Sequence, residues 1–109
     1  MHAFDVLGDP VRRRILELLA EGEHSSGEIV AVIRREFGIS QAGVSQHLRV
    51  LRESGFATAR VSGARRLYTL ESAPLRAVDA WLARFRAEWE PRLDALATEI
   101  ERGKRARRR

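Results

Sequence analysis

The segment Gly38-Ile39-Ser40-Gln41-Ala42-Gly43-Val44-Ser45-Gln46-His47-Leu48-Arg49-Val50-Leu51 decides the fold. Gly38-Ile39-Ser40 reads as a turn, and Ser40 is placed to cap a helix by accepting one of its first free backbone N–H groups. Val44, Leu48 and Leu51 recur at helical spacing and form the inward face, and Gly55 stops the helix. Gln41, Ala42, Ser45, Gln46 and Arg49 are then left on other faces, near the N-terminal end. Upstream, Ser25-Ser26-Gly27-Glu28 has the spacing of a capping box. It opens a helix whose apolar positions are Ile29, Val30, Val32, Ile33 and Phe37, ended by Gly38. Two helices joined by a glycine-containing turn, the second with a serine cap, have the shape of a helix-turn-helix unit.

Working outward, Asp9-Pro10 reads as an N-cap followed by proline at the first helical position, which predicts a helix from about Pro10 to Ala20. Ala3 to Leu7 can form a short helix closed by Gly8, and His24 falls in a loop. Between Phe56 and Leu70 the pattern suits two strands turned at Ser62-Gly63-Ala64, a hairpin with a basic tip. Pro74 opens a long helical stretch in which Leu75, Val78, Leu82, Phe85, Trp89, Leu93, Leu96 and Ile100 follow each other at three and four residues, a seam for another helix. Pro91 lies inside it and lacks the N–H that would bond the Ala87 carbonyl, so a kink or break is expected there. The fold class is mainly α with a small β-hairpin.

The length of 109 residues, with 44% hydrophobic and 32% charged residues, suits one globular domain. No apolar run approaches the roughly 18 to 20 residues a membrane span needs, so a membrane is not an expected partner. Met1 to Gly8 lacks the pattern of a secretory leader, which predicts a cytoplasmic location. The absence of cysteine excludes disulfides, a thiol nucleophile, iron–sulfur clusters and thiolate metal sites. His2, His24 and His47 have no serine or carboxylate at a telling spacing, and there is no glycine-rich phosphate loop. Neither an enzyme nor a cofactor is expected.

Twenty basic and 15 acidic residues give a net charge of +5, unevenly placed. Arg102, Lys104, Arg105, Arg107, Arg108 and Arg109 supply six of the positive charges, leaving 14 minus 15, or −1, for residues 1–101. Residues 1–101 are therefore read as the folded domain and 102–109 as a disordered basic tail, serving either attraction to DNA or solubility. From Ser40 to Tyr68 the chain holds Arg49, Arg52, Arg60, Arg65 and Arg66 against Glu53 alone, a local +4 that suits a polyanion.

The order of elements resembles the winged-helix repressors of the ArsR (arsenic-repressor) family, and the resemblance reaches the residues. Phe4-Asp5-Val6-Leu7-Gly8-Asp9-Pro10-Val11-Arg12-Arg13-Arg14-Ile15-Leu16-Glu17-Leu18-Leu19 is similar to the family's opening, and Ile39 to Leu51 to its recognition segment. Trp81-Leu82-Ala83-Arg84-Phe85, Trp89 and Leu93-Asp94-Ala95-Leu96 are similar to a branch without metal-binding cysteines. The resemblance implies a winged helix-turn-helix with a long C-terminal dimerisation helix, and a cytoplasmic transcriptional repressor. Two departures stand out. About four more residues than usual separate Ile29 from Gly38, close to one helical turn, and Gly43 stands where alanine or threonine is commoner.

The DNA-binding residues expected on these grounds are Ser40, Gln41, Ala42, Gly43, Ser45, Gln46, His47 and Arg49 of the recognition segment, with Arg60, Arg65 and Arg66 of the wing. Glutamine can bond adenine edges in both senses, arginine can grip guanine or phosphate, and small residues let a helix enter the major groove of double-stranded DNA. The bland alternatives are a solvated helix face of average polarity and an edge hairpin kept soluble by charge. For His47 both a packing role and a phosphate contact stay open. The expected dimer surface is Phe4, Leu75, Val78, Leu82, Phe85, Trp89, Leu93 and Leu96, giving a symmetric homodimer that reads an imperfect palindrome. Trp81, Phe85 and Trp89 could instead line a ligand pocket. No metal site is expected: the family's cysteine ligands are missing, and no histidine follows Pro74. Release from DNA then falls to a small-molecule effector, a partner protein or changes in abundance. The competing reading is a winged-helix protein-interaction module that does not bind DNA.

Overall fold

A computed structural model describes residues 2–107. The elements are α1 (Ala3–Leu7), α2 (Pro10–Glu21), β1 (His24–Ser25), α3 (Ser26–Phe37), α4 (Gln41–Glu53), β2 (Ala57–Ser62), β3 (Arg65–Leu70) and α5 (Ala73–Arg107). The chain divides into two compact units, Met1–Val78 and Asp79–Arg109.

Local chemistry places the helix ends in the first unit. Asp9 Oδ1 accepts from the Val11 and Arg12 N–H groups at 2.8 and 3.2 Å, and Pro10 begins α2. Ser25 Oγ accepts from the Glu28 N–H at 3.1 Å and donates to Glu28 Oε1 at 3.0 Å. Gly38, at φ 69°, ends α3 in the left-handed conformation that glycine adopts without a Cβ penalty. After α4 the Phe56 N–H bonds the Leu51 carbonyl at 2.9 Å and the Gly55 N–H bonds the Arg52 carbonyl at 3.2 Å. Those paired bonds form a Schellman motif, and its usual apolar contact is supplied by Leu51 and Phe56, both fully buried.

The core gathers residues from the first four helices: Val6 of α1, Ile15 and Leu19 of α2, Ile29 and Ile33 of α3, and Val44, Leu48 and Leu51 of α4, closed by Phe56, Ala57 and Tyr68. Each fully buried large side chain contributes about 1.5 to 3 kcal/mol. Val30 and Val32 are only partly buried and Phe37 is 39% exposed, so the inward face of α3 is narrower than its apolar content suggests. The long α3 is a continuous helix, and its last turn is held from outside the core. Arg14 of α2 grips Glu36 through two hydrogen bonds, at 2.8 and 3.1 Å.

The sheet is antiparallel throughout, in the order β1-β3-β2, with Ser62 opposite Arg65 at the hairpin turn and Tyr68 flanked by Ala59 and His24. His24 is thus in a strand rather than a loop. Two residues carry no alternation to read, and β1 exists because the open edge of β3 offers it partners.

α5 differs from expectation twice. It passes through Pro91 as one helix, with no break. Ala87 is exposed there, so water can satisfy the carbonyl that proline leaves unbonded. It also continues to Arg107, so residues 102–107 of the expected disordered tail are helical, while residues 108 and 109 lie outside the described residues. Alanine, arginine and lysine favour helix, cations suit its C-terminal end, and Lys104 pairs with Glu101 at 3.6 Å. No helix among the described residues is long and apolar enough to cross a membrane.

Candidate nucleic-acid interface

Ser40 Oγ accepts from the Gly43 N–H at 3.1 Å and starts α4. Burying Val44, Leu48 and Leu51 leaves Gln41, Ala42, Ser45, Gln46 and Arg49 exposed, so the face read from the sequence is the face α4 presents. Gly43 is half-buried, and a Cβ there would meet Ser40 Oγ at 3.4 Å and Ile39 Cδ1 at 3.7 Å, ordinary contacts that an alanine would also make. The fold does not require glycine at this position. His47 is half-buried with Nδ1 3.5 Å from Arg12 Nη1, which favours the packing role for it.

The wing's arginines do not stand alone. Arg60 donates to Glu23 at 2.9 and 3.3 Å, and Thr69 Oγ1 donates to the same carboxylate at 3.2 Å. Arg65 donates to Glu28 at 2.7 Å. On α4, Arg49 donates to Glu53 at 2.9 Å, and this hydrogen bond holds the Glu53 carboxyl below its ordinary range. Glu28 is likewise held low, first by the Ser25 hydroxyl and, after the Ser25 N–H, by the charge of Arg65.

Between α4 and β3 lies a cleft of about 310 Å³ lined by Ser26, Ser45, Leu48, Arg49, Arg52, Arg66 and Tyr68. Alternation along β3 puts Arg66 on the same side as the buried Tyr68. Ser45, Arg49 and Arg66 were expected at the interface; Arg52 was counted in the basic stretch but not among the DNA-binding residues, and Ser26 was not expected. The signal for Arg52 was present, since it follows Ser45 and Arg49 at seven and three residues and so shares their helix face.

Of the expected dimer residues, Leu75 packs against the core of its own chain and Val78 is partly buried. Phe4, Leu82, Phe85, Trp89, Leu93 and Leu96 are 41 to 56% exposed. Trp81 and Phe85 stack at a tilt with centroids 4.5 Å apart. No group of three histidine, aspartate or glutamate side chains converges as a metal site among the described residues.

A family model described as bacterial regulatory protein, arsR family, matches residues 9–59. The chain is 36% identical over 99 residues to the HTH-type transcriptional regulator Rv2034 of Mycobacterium tuberculosis, spanning 91% of this chain and 86% of that protein. It is 30% identical over 84 residues to the transcriptional repressor SdpR of Bacillus subtilis, spanning 77% and 89% respectively. A solved structure described as a possible transcriptional regulator for arsenical resistance matches with a TM-score of 0.70 at 35% identity, over 87% of this chain and 95% of that one. With the helix-turn-helix, the wing and these relatives agreeing, the chain belongs to the arsR family of bacterial regulatory proteins, the winged helix-turn-helix transcriptional regulators.

Proposed function

We propose that this chain is a cytoplasmic repressor that binds double-stranded DNA as a symmetric homodimer, and that it acts by binding and not by catalysis. The observation that carries the reading is the division of α4: three apolar residues buried, five short or polar ones exposed beside a basic cleft. In this reading Gln41, Ser45 and Gln46 read base edges in the major groove, Ser40, Ala42 and Gly43 allow close approach, and Arg49 and the wing meet the backbone. Two copies would pair through the apolar stripe of α5 together with Phe4, setting half-sites roughly 34 to 36 Å apart on an imperfect palindrome.

Binding isotherms on a duplex selected from a random pool and on a scrambled duplex, each at two salt concentrations, test this. Tighter binding to the selected duplex with a steep salt dependence is expected. Salt-independent or absent binding would favour the protein-interaction module. The regulator in this reading does not respond to metal through either site the family is best known for, since the chain has no cysteine and no histidine after Pro74. A shift of tenfold or more in operator affinity at micromolar zinc, nickel or cadmium, about 1.4 kcal/mol of coupling, would overturn that statement.

A further inference from the structure

The arginines near α4 and the wing fall into two groups when each is assigned its partner. Arg49, Arg60 and Arg65 are each bound to a carboxylate, those of Glu53, Glu23 and Glu28, at 2.7 to 2.9 Å. Among the described residues, the side chains of Arg52 and Arg66 have neither a hydrogen bond nor an ion pair. These two line the same cleft between α4 and β3, and no carboxylate lines it with them. The hydroxyl-bearing Ser26 and Ser45 complete its polar rim. Its apolar lining, Leu48 and Tyr68, is buried in the core, which fixes the walls.

A small cleft with two uncommitted guanidinium groups and two hydroxyls selects an anion with several acceptor oxygens, the geometry that guanidinium matches in phosphate. The cleft is also continuous with the exposed face of α4, because Ser45 and Arg49 belong to both. We infer that it seats one backbone phosphate of the DNA duplex, with Arg52 and Arg66 as its ligands, one from the recognition helix and one from the wing. The inference rests on the DNA-binding reading and adds to it a specific division of labour. Arg60 and Arg65 hold the hairpin to residues 23–28 through Glu23 and Glu28, and Arg52 and Arg66 take the phosphate.

The test measures binding of the full chain to a random-sequence duplex over a series of salt concentrations. Arg52→Gln and Arg66→Gln are each expected to lower the slope of log affinity against log salt, and the double variant to lower it by about 0.9 per protomer and no more, because the two side chains share one phosphate. Arg52→Lys should keep most of the slope, and all variants should melt close to the parent protein, since neither side chain has a hydrogen bond or close ion pair to lose and the Arg52 charge acts on Glu53 only at longer range. Unchanged slopes in both glutamine variants, with the parent still binding duplex in a salt-dependent way, would overturn the phosphate seat and leave DNA binding standing. No duplex binding by the parent would overturn both. A free phosphorylated ligand offers the same chemistry. Saturable calorimetric binding of pyrophosphate that is lost in Arg52→Gln, with the duplex slope unchanged, would reassign the cleft and overturn the inference.

Discussion

Arg12 Nη1 lies 3.5 Å from His47 Nδ1, joining the first turn of α2 to the middle of the recognition helix. The same side chain donates to the carbonyls of Val6 at 3.0 Å and Asp5 at 2.8 Å, and Arg13 donates to that of Leu7 at 2.6 Å. A helix of five residues leaves its last carbonyls without partners of its own, so α1 is completed by arginines from the next helix. With Arg12 only 13% exposed, Arg12→Gln should destabilise the fold by about 1 to 3 kcal/mol, read from urea midpoints. Arg13→Gln, at an exposed site, should cost less, and equal losses would show that burial of the first group is not what matters.

Asp9 supplies a pH dependence whose sign can be worked out. Burial works to raise its pKa, but the N–H groups of Arg12 and Val11 and nearby positive charge outweigh it, so the carboxyl titrates below its ordinary value of 3.8. The unfolded chain therefore takes up its proton first on acidification. Its contribution is fully present above the ordinary value and is lost as pH falls through the lower folded value. Asp9→Ala should cost about 1 kcal/mol at neutral pH, and the gap should close in thermal melts below that range. A gap independent of pH would rule out the carboxylate as the cause.

Gln46→Ala should weaken binding to a selected operator by about 1 to 3 kcal/mol and leave a scrambled duplex nearly unaffected. Arg66→Ala should weaken both alike. Because Arg65 is engaged by Glu28, its removal should cost less duplex affinity than removal of Arg66. Competition titrations give all three, and equal losses on both duplexes for Gln46→Ala would remove it from base reading.

The apolar residues of α5 call for a partner, since Trp89, Leu93 and Leu96 are each more than half exposed on one stripe. Sedimentation at micromolar concentration should give a dimer, and replacing Trp89 and Leu93 with glutamate should give monomer with the Met1–Val78 unit still folded. A strictly monomeric parent protein would refute the pairing.

The helices of the first unit were legible in the sequence because their signals are local. Asp9, Ser25, Ser40 and Gly38 act on backbone groups within four residues, and apolar periodicity then says which face turns inward. The exposed face of α4 follows from that alone, as does the exclusion of thiolate chemistry by the lack of cysteine. The exposure of Phe37 was not legible, because periodicity marks a face and not how far along a helix the core extends.

The charge of the interface was not legible in the same way. Counted along the chain, residues 40–68 carry five arginines against one glutamate. Folding brings Glu23 to Arg60 and Glu28 to Arg65, each across 37 positions, and among the described residues leaves the side chains of Arg52 and Arg66 without a hydrogen bond or close ion pair. The two-residue strand β1, which carries this segment to the edge of β3, is likewise a product of tertiary pairing. By itself the sequence determined the helices, their inward faces and the exposed face of α4, because caps and periodicity act between near neighbours. Only the tertiary structure decided which cations are free, because Coulomb attraction depends on distance in space and takes no account of separation along the chain.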